Sequence, residues 1–462
     1  MFNKEIYVVR REKLKKEIKD GVLLFPGNNE SPMNFPSNTY PFRQDSTFLY
    51  YWGLDEPRLN AAIDLNSGEE IIFGDDRSLD DVIWMGPTRT MKEKGENVGV
   101  NKTLPADHFE AFVKSAKEKG RKIHILSQYR PDTIQSLADL LGVHHTKVNE
   151  FVSEEFTRQV IRQRAAKSNE EIQEIEKALE TSFAMYMYAF KRTRPGMREQ
   201  DIAGGIEGIA LQRGRGVSFP TIFSIHGEIL HNHHHKNIMR NGDLIVLDSG
   251  AESFMHYASD ITRSYPVSGK FTNLQKDIYS AVLEAQTESI KQIRPGKKYK
   301  EIHLLASEII AERLKDIGLM KGNTNDAVAA GAHALFFPHG LGHMMGLDVH
   351  DMETLGENLV GYENGDKRSE QFGLAFLRLA RSLRPGYVLT VEPGIYFIPK
   401  LVEMWKGEGK HKEFINYDKV ERMLGFGGIR IEDDVLVTRE SYRVLGRPIP
   451  KTIEEVEQVC QN

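Results

Sequence analysis

The sequence predicts an α/β domain over residues 1–165 followed by a larger α+β domain over 166–462, the second built from two similar halves. Three observations carry this expectation. Helical and strand-like stretches alternate through roughly the first 150 residues, the pattern of an α/β layer. Ser168, Asn169, Glu170 and Glu171 then have the spacing of a capping box, which opens a new, long helix and marks a boundary. Beyond it an order of helix, Arg-Pro-Gly, helix and strand occurs twice, around 194–196 and around 294–296. A third Arg-Pro-Gly at 384–386 warns that the tripeptide alone is a cheap signal. A chain of 462 residues is too long for one ordinary domain, which agrees with two.

Taken in order, residues 5–20 read as an amphipathic helix with Ile6, Val9, Leu14 and Ile18 on one side. GVLLFPG follows as a strand stopped by Pro26 and Gly27. Residues 28–47, rich in Asn, Ser and Pro, form a loop that runs into FLYYWGL, whose aromatic residues predict a strand. AAIDL, NSG and EEIIF give strand, turn and strand. Helices over 107–119 and 132–141 flank a strand in KIHILS. The second domain opens with a helix from Ser168 through about Arg192, which Pro195 and Gly196 stop. A helix over 198–213 and a strand in FPTIFSIHG follow. The second half repeats the order with helices over 272–293 and 301–317 and with strands near His343 and Glu392.

Composition excludes several classes. Hydrophobic residues make up 40% and charged residues 27%, the balance of an ordinary globular chain. A net charge of -5 at this length argues against nucleic acid or an anionic membrane as partner. Cys460 is the single cysteine, so no disulfide forms within the chain, which fits a reducing cytoplasm. The first residues, MFNKEIYVVRREKLKKEIKDG, are too charged for the apolar core of a signal peptide. No apolar run approaches the ~20 residues that span a bilayer.

The chemistry concentrates in the second domain. Leu244–Leu247 is a short apolar run, a buried strand that ends at Asp248 before the turn signal of Ser249 and Gly250. Asp260 opens a second β-prone run, Ile261–Tyr265. Two carboxylates at neighbouring strand ends can be aimed at one point, and burying them is costly unless a cation pairs with them. Either aspartate alone would be a turn or cap residue. Together with His343 in HGLGH, Glu392 in TVEPG and Glu432 in GIRIEDD they make a ligand set of four carboxylates and one imidazole. Such a set suits Mn²⁺ and related hard ions better than the sulfur sites of structural zinc. Four carboxylates exceed what one divalent ion needs, whereas two ions roughly 3.5–4 Å apart would balance them. The glycines between His339 and His343 predict a loop with close backbone approach rather than a helix. His350 follows within the same stretch. In His231–His235, neighbouring residues of an extended chain alternate in direction, so few reach one site; His231 is kept as a substrate or oxyanion contact. Alternation also puts Arg430 on the face of Glu432, where a guanidinium orients the carboxylate or binds a substrate carbonyl.

Four motifs in this order, LDSGAE with YASDITRSYPVSG, FFPHGLGHMMGLDVHD, TVEPGIY and GIRIEDD, resemble the metallopeptidases of the pita-bread fold. The Xaa-Pro aminopeptidases (aminopeptidase P) are the nearest resemblance and the prolidases the next, over about residues 168–445. FRQDSTFLYYWGLDEP and DDVIWMGP resemble the N-terminal domain of aminopeptidase P. The resemblance implies two divalent ions, Mn²⁺ above all. Asp248 and Asp260 would hold one, Asp260 and Glu432 would bridge both, and His343 and Glu392 would complete the other. It further implies hydroxide attack on the carbonyl before a proline in the second position of a peptide, with Glu392 as proton shuttle. His231 and His350 would stabilise the tetrahedral intermediate or hold substrate, and His339 and Arg430 match substrate-side positions. A homo-oligomer, dimer or tetramer, built through the N-terminal domain is expected. Trp84 would then reach a neighbouring subunit's site, although a core tryptophan fits the sequence equally well. The alternative activity is that of an Xaa-Pro dipeptidase. A non-catalytic binding protein is disfavoured because all five ligand types are present. The long 351–381 segment between two motifs predicts a lid or rim.

Overall fold

Val22–Pro26 carries consecutive apolar residues and is covered on both faces, as an inner strand requires. It belongs to a five-stranded sheet in the order Lys102–Leu104, Glu69–Phe73, Asn60–Asp64, Val22–Pro26, Ile123–His124. The inner pairs are antiparallel and the two outermost pairs parallel. Val22, Leu24, Ala62, Ile71 and Phe73 pack on Phe109 and Val113 of helix His108–Glu118 and on Leu137 and Leu141 of helix Pro131–Leu141. The computed structural model describes residues 1–363 and 365–461. Its contacts group Met1–Arg164 with Met352–Leu359 as one unit, and Ala165–Asp351 with Val360–Asn462 as another. Asn364, inside the 351–381 segment, lies outside the described residues. Among the described residues no helix is long and apolar enough to cross a membrane.

Three expectations for the first unit need correction. Residues 28–47 are not loop throughout, since Pro32–Phe35 pairs antiparallel with Asn38–Thr39. FLYYW is not a strand but the core of helix Ser46–Trp52. Asp45 caps it, accepting the N–H groups of Thr47 and Phe48, and Gly53 ends it at φ 63°. Every residue of that helix is buried, so it shows no helical periodicity to read. In helix Lys4–Glu17 the inward face is Tyr7, Arg10, Arg11 and Leu14, while Val9 is 51% exposed. Arg11 is inside because its guanidinium donates to Tyr51 O, Val98 O and Glu70 Oε2, each at 2.8 Å. Hydrophobic pattern alone cannot foresee an arginine buried because main-chain carbonyls and a carboxylate receive its guanidinium.

The second unit shows the duplication in its hydrogen bonds. Helices Asn169–Arg192 and Glu199–Arg213 recur as Asn273–Lys291 and Tyr299–Asp316. Gly196 N donates to Met239 O and Gly296 N to Leu383 O, both at 2.8 Å. Met239 N donates to Met197 O and Leu383 N to Lys297 O, both at 2.9 Å. The third Arg-Pro-Gly is therefore structural. It is the second half's counterpart of Arg240, Asn241 and Gly242, and each triplet leads directly into a strand, Leu244–Asp248 or Val388–Val391. Asp248 follows Gly242 by six residues and Glu392 follows Gly386 by six, so the repeat places both at equivalent points. Each half contributes a three-stranded sheet.

Candidate active site

Leu244–Asp248, buried throughout, pairs antiparallel with Thr262–Pro266 on one side and Ile222–Ser224 on the other. Asp248 ends its strand opposite Thr262, and Asp260 lies two residues before that partner strand begins. Glu432 lies between strands Gly428–Arg430 and Asp433–Val437, where its N–H donates to Thr262 O at 3.0 Å. Glu392 follows Val388–Val391, which pairs with Asp433–Val437. No strand forms at His343, contrary to expectation: Gly340 and Gly342 keep this stretch irregular, with a single bridge between Met344 and Leu389. The loop is held all the same, since His343 N donates to Thr390 Oγ1 at 3.1 Å and Thr390 N to His343 O at 3.0 Å.

Three side chains converge most closely. Asp260, His343 and Glu432 each offer one ligand atom, all within 4.8 Å of one another. His343 Nε2 is 3.4 Å from Asp260 Oδ2 and 3.5 Å from Glu392 Oε1. Its Nδ1 lies 3.0 Å from Met344 O, a contact that places the ring proton on Nδ1 and leaves Nε2 as the donor atom. Thr262 Oγ1 donates to Glu432 Oε2 at 2.6 Å, and Asp260 N donates to Asp434 Oδ2 at 3.0 Å. Arg430 donates from Nη2 to Asp248 Oδ2, from Nη1 to Tyr396 Oη at 2.8 Å and from Nε to Thr262 Oγ1 at 3.1 Å. Asp248 Oδ1, Asp260 Oδ1 and Glu432 Oε1 are buried without a hydrogen-bond partner among the described residues, a costly arrangement in a protein interior. Burial, then repulsion from Glu432, holds the Asp260 carboxyl well above its ordinary range; burial, then Glu392, does the same to Glu432. Glu392 is raised to about 7, chiefly by burial. Hard oxygen donors with orphaned lone pairs, and carboxylates that resist ionising together, are what a divalent cation compensates. The residues present fit metal ions.

These groups line a cavity of about 720 Å³. His231, His339, His350 and Arg430 line it too, so all the expected site residues except Trp84 come together. His350 packs edge-on against His343 with ring centroids 4.2 Å apart. His339 Nε2 is 2.9 Å from Tyr396 Oη, and burial, with Arg430 nearby, pushes its ring down to about 3. His233 lines the cavity as well as His231, so more of the histidine tract is involved than the sequence suggested. Phe372, Phe376 and Arg378 of the 351–381 segment form part of the wall. Trp84 is not a core residue: it sits 84% exposed on helix Leu79–Met85, none of whose residues is buried. Sequence reasoning missed Thr262, Tyr396 and Arg378, and the wall supplied by helix Pro399–Gly407 through Lys400, Leu401 and Met404. Thr262 and Tyr396 do fall inside SDIT and EPGIY, and alternation from Asp260 would have flagged the first.

The second unit is thus a pseudo-twofold α+β fold with a carboxylate-rich site, fit for metal ions, at the meeting of its halves. Residues 173–439 match the model of metallopeptidase family M24, and residues 7–125 match that of the aminopeptidase P N-terminal domain. The chain belongs to metallopeptidase family M24. Among its relatives is the Xaa-Pro dipeptidase of Homo sapiens, 31% identical over 94% of this chain and 88% of its own length. The Xaa-Pro aminopeptidase of Escherichia coli is 31% identical over 90% of this chain and 89% of its own. Aminopeptidase P from E. coli, solved with the inhibitor Pro-Leu, superposes with a TM-score of 0.80 at 28% identity, covering 100% of this chain and 98% of that one. Aminopeptidase PepP of Pseudomonas aeruginosa gives 0.81 at 27% identity with the same coverage.

Proposed function

We propose that this chain is a dinuclear aminopeptidase that hydrolyses the bond between the first residue of a peptide and a proline in the second position. The observation that carries this is the cluster of Asp248, Asp260, His343, Glu392 and Glu432 lining a largely apolar cavity. These five residues would hold two divalent ions, Mn²⁺ by the hardness of the donors. Bound there, the ions supply Lewis acidity and a water that ionises near neutral pH. The chain's own residues do the rest. Glu392 takes the proton of the attacking water and delivers it to the proline nitrogen, which as part of a tertiary amide carries no N–H of its own. His231 and His350 present donors to the oxyanion that develops on the scissile carbonyl. His339 and Arg430, joined through Tyr396, fix the substrate side of the cavity. Phe219, Phe372 and Leu401 supply apolar wall that suits a proline ring.

In this reading residues 166–462 are the catalytic domain and residues 1–165 build a homo-oligomer, dimer or tetramer. The exposed face of helix Leu79–Met85 supports it: Leu79, Ile83, Trp84 and Met85 are each at least 62% exposed, an apolar surface that a second copy would cover, with Trp84 offered to that copy's site. A soluble peptide substrate and the cytoplasm complete the reading. A second reading is dipeptidase activity, favoured by the relative from Homo sapiens and by Arg378, whose guanidinium at the cavity wall suits the free carboxylate of an Xaa-Pro dipeptide. Hydrolysis of a matched pair by the Mn²⁺-loaded protein separates the two: Xaa-Pro itself and the same Xaa-Pro extended by further residues. Preference for the longer peptide supports the aminopeptidase, and preference for the dipeptide supports the second reading. Cleavage of neither, with metal bound, overturns both.

A further inference from the structure

Behind the candidate ligands lie the hydroxyls of two buried tyrosines, neither of which is itself among the residues that line the cavity. Tyr186, on helix Asn169–Arg192, is fully buried. Its Oη donates to Ile261 O and accepts the N–H of Ser249 at 3.2 Å, with Leu247 O and Ser249 O each at 3.3 Å. Leu247 and Ser249 flank Asp248, and Ile261 follows Asp260. Tyr299 opens helix Tyr299–Asp316 and is equally buried. Its Oη donates to Thr390 O at 2.6 Å, with Leu341 O at 3.3 Å. Thr390 exchanges hydrogen bonds with His343, and Leu341 O accepts the N–H of Glu392 at 2.8 Å. Each phenol oxygen is thus seated on the main chain of two segments that carry candidate ligands. The approach is tight enough to dictate sequence. A Cβ on Gly342 would lie 2.1 Å from Thr390 O and 2.7 Å from Tyr299 Oη, so no side chain fits there.

The matching helix positions of the repeat carry other side chains that also bond to segments around the site. Gln286 precedes Arg294 by eight residues, as Tyr186 precedes Arg194, and Gln286 Nε2 donates to the carboxylate of Asp433, beside Glu432, at 2.8 Å. Glu199 follows Arg194 by five residues, as Tyr299 follows Arg294. Its carboxylate accepts Ile225 N at 2.8 Å and Asn237 N at 3.2 Å, the two ends of the loop that carries His231.

We propose that Tyr186 and Tyr299 are positioning residues, Tyr186 setting the distance between Asp248 and Asp260, and Tyr299 the distance between His343 and Glu392. The inference rests on these four residues being metal ligands. Polyvalent sites lose affinity when ligands stand even a fraction of an ångström out of place, because the groups behind the ligands fix their geometry. The test is titration of metal-stripped parent, Tyr186→Phe and Tyr299→Phe proteins with Mn²⁺ by calorimetry. Electron paramagnetic resonance of the loaded proteins and melting of the metal-free ones accompany it. The expected result is metal-free melting close to the parent, Mn²⁺ binding weaker by about tenfold or more, and loss of the spin-coupled signal of a paired site. Parent-like affinity, stoichiometry and coupling in a folded variant overturns the proposal, however much that variant's melting temperature falls. If Tyr186→Phe does not fold, Tyr299→Phe decides by the same readings. A parent protein that binds no Mn²⁺ overturns the metal-centre reading, and this inference with it.

Discussion

Thr262 is the residue on which the site's polar contacts meet. Its hydroxyl donates to Glu432 Oε2 and accepts from Arg430 Nε, while its backbone carbonyl accepts the Glu432 N–H. Thr262→Val keeps the shape and removes both side-chain bonds, so Mn²⁺ affinity should fall about ten- to a hundredfold. Titration of the metal-stripped variant measures this, and parent-like affinity would show that Glu432 needs no help from Thr262. Glu392 makes a different prediction. Glu392→Gln preserves volume and removes the carboxylate proposed to carry protons, so turnover should fall about 10²–10⁴-fold with the melting curve unchanged. Near-parent activity in a metal-loaded variant would exclude Glu392 from proton transfer. The ligand types at these positions were legible in the sequence because carboxylates and a histidine stood beside turn signals. Their supports were not, because Thr262 and Tyr396 look like ordinary strand residues until the strands are paired.

At the scale of elements, helix Tyr299–Asp316 and the turn Ala332–Leu335 bury His303 and His333 completely, with no hydrogen-bond partner on either ring among the described residues. Burial pushes His303 down to about 3 and His333 down to about 4. Both stay neutral in the folded protein, whereas the unfolded chain takes up protons below about pH 6.5. Their contribution to stability is therefore fully present above about pH 6.5 and is lost as pH falls towards 4. Linkage gives up to about 2 kcal/mol per histidine at about pH 5. His303→Leu should narrow the gap in melting temperature between about pH 7.5 and about pH 5; an unchanged gap would mean that other groups govern acid unfolding. Elements with a clear period or a cap, such as the helix after Ser168, could be read from sequence. Helix Ser46–Trp52 could not, because full burial erases the difference between its faces.

At the scale of the whole molecule, the exposed apolar face of helix Leu79–Met85 leads to a prediction about assembly. Sedimentation should show a dimer or tetramer, and Ile83→Glu should shift it towards the monomer because a charge placed in an apolar contact loses its water. Sedimentation identical to the parent would remove this helix from any interface. The duplication belongs to this scale too. It places Asp248 and Glu392 at equivalent points of two halves and sets Tyr186 opposite Gln286 in the repeat.

The sequence by itself determined the class of fold, the doubled helix pairs of the second unit and the identity of the candidate ligands. Local rules decide those: periodicity, caps, turn residues and the chemistry of carboxylate and imidazole. Tertiary structure alone decided which oxygens remain without partners, that Arg430 serves Asp248 and Tyr396, that two tyrosines lash the ligand segments together and that Trp84 lies outside any core. Each of these depends on contacts between residues far apart in the chain, whose energies come from burial and geometry, and neither exists before the strands have paired.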